Sequence, residues 1–226
     1  MIEAQAISVN TNQAERLVRR VGMWSALGTT IVGAVYVSVG VLGILLRPAK
    51  ENLLQQVDPY LAILEALIIV SALTLVTLMC ALHLHAPSGR RILTLTALSF
   101  AIIFAVLTSS VHFASLTVAR HLDPQADAGL IRQLSFMSWP TVALCLDLLA
   151  WDLFLGLSFV LAARVFSGRT RAFLTACGWL CLAGFLGPVS GHLRLQFLAI
   201  AGYGFVLPIA CAFVGLHFRR EISRES

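Results

Sequence analysis

Residues 60–84 read YLAILEALIIVSALTLVTLMCALHL. Only Glu65 and His83 interrupt a run that is otherwise apolar or carries small hydroxyls. A helix rises about 1.5 Å per residue, so the run is long enough to cross a hydrocarbon core about 30 Å thick. Asp58-Pro59 precedes it and Pro87-Ser88-Gly89 follows it. Five further stretches of this kind lie near 23–46, 92–118, 139–165, 172–189 and 196–218. Their bounds are Arg47-Pro48, Arg90-Arg91, Arg120, Ser167-Gly168-Arg169, Gly187-Pro188 and Arg219-Arg220. Trp139-Pro140 reads as the opening of the fourth, because proline suits the first helical turn. The fifth is short for a bilayer. The expected fold class is all-α, a polytopic transmembrane bundle of six helices.

Composition agrees with this reading. Of 226 residues, 58% are hydrophobic and 12% charged, with a mean hydropathy of +0.87. Soluble domains carry about 25% charged residues, enough to cover a water-facing surface. Here lipid solvates the outside instead. Three parts follow: a cytoplasmic N-terminal segment 1–22, a transmembrane domain 23–218 and a cytoplasmic tail 219–226. Ala14, Leu17, Val18 and Val21 share a helical face beside Arg16, Arg19 and Arg20. That pattern fits either a helix lying on the membrane surface or a simple extension of the first span.

The net charge of +5 does not point to nucleic acid, since the basic residues cluster at span ends, where topology accounts for them. Eleven of the sixteen Lys and Arg fall on one side. They are Arg16, Arg19 and Arg20, then Arg90 and Arg91, then Arg164, Arg169 and Arg171, then Arg219, Arg220 and Arg224. Arg47, Lys50, Arg120, Arg132 and Arg194 fall on the other. Basic residues are retained in the cytoplasm during insertion, so both termini are expected there. Trp24, Trp139 and Trp179 read as interfacial anchors near span ends.

Ionisable groups inside a span are costly and usually face the bundle interior. Glu65 lies just inside the outer end of the second span and His112 about two turns from the outer end of the third. Asp147 lies about two turns into the fourth span, and Asp152 is deeper. Arg120, His192 and Arg194 mark the outer rim. The expectation is an outward-facing polar pocket of Asp147, Asp152, His112, Glu65 and Arg194, built by the second, third, fourth and sixth spans. Five residues separate the aspartates, about 140° in projection on an α-helix, so each is expected to meet different helices. Small residues Ser25, Thr29 and Gly33 recur every four positions and mark a packing face on the first span. Gly202, Gly204 and Pro208 loosen the sixth.

Motifs for chemistry are few. There is no HExxH, GxSxG, CxxC or phosphate-binding glycine loop. His112, Glu65 and Asp147 have no metal-ligand spacing, and His83 and His85 splay at i, i+2. Cys80, Cys145, Cys177, Cys181 and Cys211 all fall within spans and read as small buried hydrophobes. No catalytic set, metal or cofactor is assigned.

The segment from Trp139-Pro140 through Leu146-Asp147-Leu148-Leu149-Ala150-Trp151-Asp152, with Val111-His112-Phe113, resembles uncharacterised six-span bacterial membrane proteins of unknown function. The resemblance implies a bacterial inner membrane and carries over no activity. The leading functional expectation is binding or transport of a small molecule, a cation or a proton through the pocket, with His112 tuning the aspartates. The alternatives are a non-catalytic membrane subunit or sensor, and a membrane-embedded enzyme acting on a lipid-like substrate. Transport requires water at Asp152. Enzymatic use requires a lateral opening and a close His112–carboxylate pair. A subunit requires a dry, fully paired Asp152. Expected partners are membrane lipids, an unidentified small-molecule ligand, and a second copy or another membrane protein, with no nucleic acid.

Overall fold

The computed structural model describes residues 2–46, 58–135 and 139–224, with side chains from residue 13 onward. Arg47, Pro48 and Lys50 lie outside the described residues. Seven helices account for the described chain: α1 Ile2–Leu45, α2 Tyr60–His85, α3 Arg91–His121, the short α4 Ala128–Leu134, α5 Val142–Val165, α6 Gly168–Ser190 and α7 Leu193–Arg224. All except α4 are long and apolar enough to cross a membrane, and no strand occurs among the described residues.

Several boundaries differ from the sequence reading. Residues 14–22 belong to one unbroken helix with the first span. The fourth span opens at Val142, not at Trp139-Pro140. Thr141 is the N-cap there, its hydroxyl accepting from the Leu144 amide at 3.2 Å, and threonine is a stronger start signal than the proline one residue earlier. The fifth span runs 23 residues and is not short. Trp179 stands mid-helix with an exposed side chain, which removes it from the anchors near span ends.

The six spans form a ring in chain order: α1 packs on α2, α2 on α3, α3 on α5, α5 on α6, α6 on α7, and α7 closes on α1. Short connections make neighbours antiparallel. One end of the bundle, the Tyr60 end, gathers Tyr60, His121, Val142, Ser190 and Leu193. The Arg90 end gathers His85, Arg91, Val165, Gly168 and Arg224. The ring interior is filled by large side chains such as Phe104, Phe159, Leu155 and Phe218, all fully buried. Large apolar residues such as Val106, Phe113, Leu186 and Phe205 stand exposed on the outside, the surface a lipid solvent requires.

The small face of α1 packs inside the chain. Thr29 donates to Thr74 of α2 at 3.0 Å, and Thr30 donates to the Pro208 carbonyl of α7 at 3.1 Å. A Cβ at Gly33 would stand 2.8 Å from Pro208 Cγ. On α6, Gly178 faces the Gly156 carbonyl of α5, and Gly184 faces Ala199 of α7. Two spans carry a π segment, Leu149–Leu155 in α5 and Gly202–Val206 in α7. The second precedes Pro208, which has no N–H to donate back into the turn before it, so the register there loosens to an i→i+5 pattern.

Candidate functional site

α3 carries a polar stripe at helical spacing: Thr108, His112 and Ser115 stand four and three residues apart, all buried. Such residues share a face, and this one points toward α2 and α5. Thr108 donates to Asp147 Oδ1 at 2.6 Å and accepts from Trp151 Nε1 at 3.0 Å. The indole therefore passes its hydrogen bond through one hydroxyl to the carboxylate. His112 Nε2 stands 3.4 Å from the same oxygen, its side chain fully buried. Ser115 donates to Glu65 Oε1, and Arg120 approaches Glu65 Oε2 at 3.6 Å. Arg120 also holds Asp58 with both guanidinium nitrogens, at 2.6 and 2.7 Å.

Asp152 points elsewhere. It is fully buried and accepts from Gln196 Nε2 of α7 at 3.1 Å. The two aspartates thus meet different helices, Asp147 meeting α3 and Asp152 meeting α7, as their projection suggested. Asp152 Oδ2 and Gln196 Oε1 are buried and have no hydrogen-bond partner among the described residues. While Asp152 is ionised both are acceptors, so neither can satisfy the other without an added donor.

A cavity of about 430 Å³ opens beside this cluster. Its walls come from α1, α2, α5 and α7. The third span, expected in the wall, stands behind Asp147 and supports it through Thr108 and His112. Among the described residues Asp147 is the one carboxylate on the lining, with Tyr36, Ser71, Trp151, Gln196 and Tyr203 as further polar or aromatic positions. Apolar side chains supply most of the remainder, including Val37, Ile200 and Phe205. These three are also exposed on the bundle exterior. The extensive contact of α1 with α7 belongs to Leu207–Arg224, which leaves the cavity side-opening beyond Pro208, between α1 and Gln196–Val206. Both π segments border this space through Trp151, Tyr203, Gly204 and Phe205.

Four of the five expected pocket residues are interior. Asp147 lines the cavity, His112 backs it, Asp152 borders it through Gln196, and Glu65 belongs to the neighbouring Ser115–Arg120 group. Arg194 is a correction. It is exposed on the turn Leu193–Leu195 and takes no hydrogen-bond partner among the described residues, because a guanidinium ahead of the first α turn stays solvated at no cost. Gln196, two residues on, occupies the interior position instead. Thr108, Ser115, Tyr36, Tyr203 and Gln196 were not anticipated. The 4-and-3 spacing of Thr108, His112 and Ser115 is a signal that finds two of them. The others are uncharged and escape a search for costly ions.

The trio His112, Glu65 and Asp147 does not meet metal-ligand spacing. Among the described residues, His85, His217 and Glu221 at the Arg90 end do. His83 and His85 splay as expected, His83 Nδ1 contacting Thr94 at 3.0 Å. Comparison of the chain with protein-family models, curated proteins and solved structures returned no match.

Proposed function

We propose that this chain is a multi-pass protein of the bacterial inner membrane, with both termini cytoplasmic. Its cavity binds a small, largely apolar molecule that carries a hydrogen-bond-donating head. The observation that carries this reading is an apolar, side-opening cavity whose polar wall holds two acceptor oxygens, Asp147 Oδ2 and Gln196 Oε1. Both contacts made to Asp147 fall on Oδ1, so Oδ2 is the oxygen left for an occupant. Gln196 also lines the cavity, with its Oε1 unpartnered among the described residues. About 300–1,000 Å³ is the usual range for small-ligand sites, and the volume falls within it. The side opening favours delivery from lipid over an aqueous path, since Asp152 is fully buried. A subunit whose acids only fix helix register leaves Asp152 Oδ2 without a partner. Proton-transfer chemistry on the bound molecule is the second reading, favoured by the 3.4 Å separation of His112 and Asp147.

Trp151 lines the cavity and reports occupancy. In a chain whose other three tryptophans are phenylalanine, a brominated alkylphenol should quench Trp151 saturably. A Cβ at Gly204 meets nothing within 4 Å, so Gly204→Leu starts into open space at the mouth, and it should abolish the saturable component. Asp147→Asn should weaken it. Quenching that rises linearly and equally in all three chains overturns the proposal.

A further inference from the structure

The last turns of α2 and α7 bring His85, His217 and Glu221 together at the opposite end of the bundle from the cavity. One ligand atom from each lies within 4.8 Å of the others. His217 Nε2 stands 3.4 Å from Glu221 Oε1, and His85 Nε2 stands 3.6 Å from Glu221 Oε2. These separations exceed the N–H···O hydrogen-bond range of about 2.7–3.2 Å. The two approaches fall on different oxygens of the one carboxylate, and each is close to the spacing of about 3.4 Å between two ligands that stand about 2.0–2.1 Å from a tetrahedral ion. Both imidazoles present the same nitrogen to the carboxylate, and both rings are held by aromatic neighbours. Phe218 meets His85 edge-on at 5.1 Å, and Phe166 meets His217 edge-on at 5.2 Å. The ligand directions are therefore set by packing before any ion arrives.

Charge allows for a cation. Arg19 of α1 stands 3.7 Å from Glu221 and 3.1 Å from Glu15, so its guanidinium is shared between two carboxylates. The three side chains are 20%, 40% and 27% exposed, which leaves a path for the ion and a coordination position for water. Two imidazole nitrogens and one carboxylate suit a divalent first-row transition ion such as Zn²⁺.

We propose that His85, His217 and Glu221 form a divalent transition-metal site that clamps α2 to α7, with zinc as the fitting ion. Histidine and glutamate at i, i+4 on α7 supply two ligands from one helix face, and His85 supplies the cross-link. The site is independent of the cavity.

The test uses the full chain in detergent, free of any histidine tag and stripped with chelator. Zn²⁺ alone is titrated by calorimetry, and Co²⁺ by its visible absorption, which reports tetrahedral ligation. One equivalent should bind saturably. Even an outer-shell partner is worth about 10–100-fold in affinity, so Glu221→Gln and His217→Gln should each weaken binding by at least that much. His192→Ala, outside the cluster, should leave it unchanged. Arg19→Gln removes the competing cation and should tighten it. Absence of saturable binding, or unaltered affinity in Glu221→Gln, overturns the proposal. Unaltered affinity in a His217→Gln chain that keeps its wild-type melting transition overturns it as well.

Discussion

Thr108 joins two polar side chains, Asp147 and Trp151, from a fully buried position. Its hydroxyl has one proton, which goes to Asp147, and its oxygen takes the Trp151 N–H. Valine has the same shape and neither function, so Thr108→Val leaves a buried indole donor unpaired and removes a donor from the carboxylate. An orphaned buried donor costs about 1–3 kcal/mol. Thr108→Ser keeps both bonds and loses a methyl, about 0.8 kcal/mol. Thermal unfolding in detergent should rank wild type above Thr108→Ser and Thr108→Ser above Thr108→Val; equal losses in the two variants would show that the relay contributes nothing. At this scale the sequence was legible where charge made a residue conspicuous. Asp147, Asp152, His112 and Glu65 stood out by their cost in lipid. Thr108 and Gln196 hold Asp147 and Asp152 in place, yet neither is charged. A neutral side chain's role depends on which partner the fold brings to it.

Among the elements, the spans were readable because twenty apolar residues in succession have few other uses. The register irregularities were only partly so. Pro208 announces the loosened Gly202–Val206 turn, whereas nothing as plain marks Leu149–Leu155. The small face of α1 was visible as a strict repeat of four. The glycines of α6 were not, because Gly178 and Gly184 alternate with cysteines on the buried side rather than forming a pure stripe. Their role is close backbone approach. A Cβ at Gly178 would stand 2.7 Å from the Gly156 carbonyl oxygen and 2.9 Å from the Val160 amide nitrogen. Backbone cannot rotate away as a side chain can, so α5 and α6 must separate. Gly178→Ala should destabilise the protein by about 1–3 kcal/mol, the usual range for overpacking. Gly204→Ala adds the same methyl where nothing stands within 4 Å and serves as the control. Matching melting transitions for the two would remove the close-packed role assigned to α6.

For the whole molecule, the ring of six spans sets the two ends of the bundle to different tasks. The Tyr60 end holds the cavity and the polar stripe of α3, and the Arg90 end holds the imidazole cluster and most of the arginines. Orientation decides what each end meets. An even number of spans puts both termini on one side, and the preponderance of Arg at the Arg90 end supports the proposal that this side is the cytoplasm. With that orientation the cavity would lie in the outer half of the bilayer, and the proposed His85–His217–Glu221 site would face the cytoplasm. A reporter that is active only in the cytoplasm should be active when fused after Arg224 or ahead of α1. The same reporter inserted in the loop around α4 should be silent, and a periplasm-active reporter should give the reverse pattern. Activity of the cytoplasmic reporter at the α4 loop would invert the molecule. The cavity would then open in the inner leaflet, and the histidine cluster would draw on external metal. The two local chemistries would stand, since neither depends on which side it faces, but the source of each ligand would be exchanged.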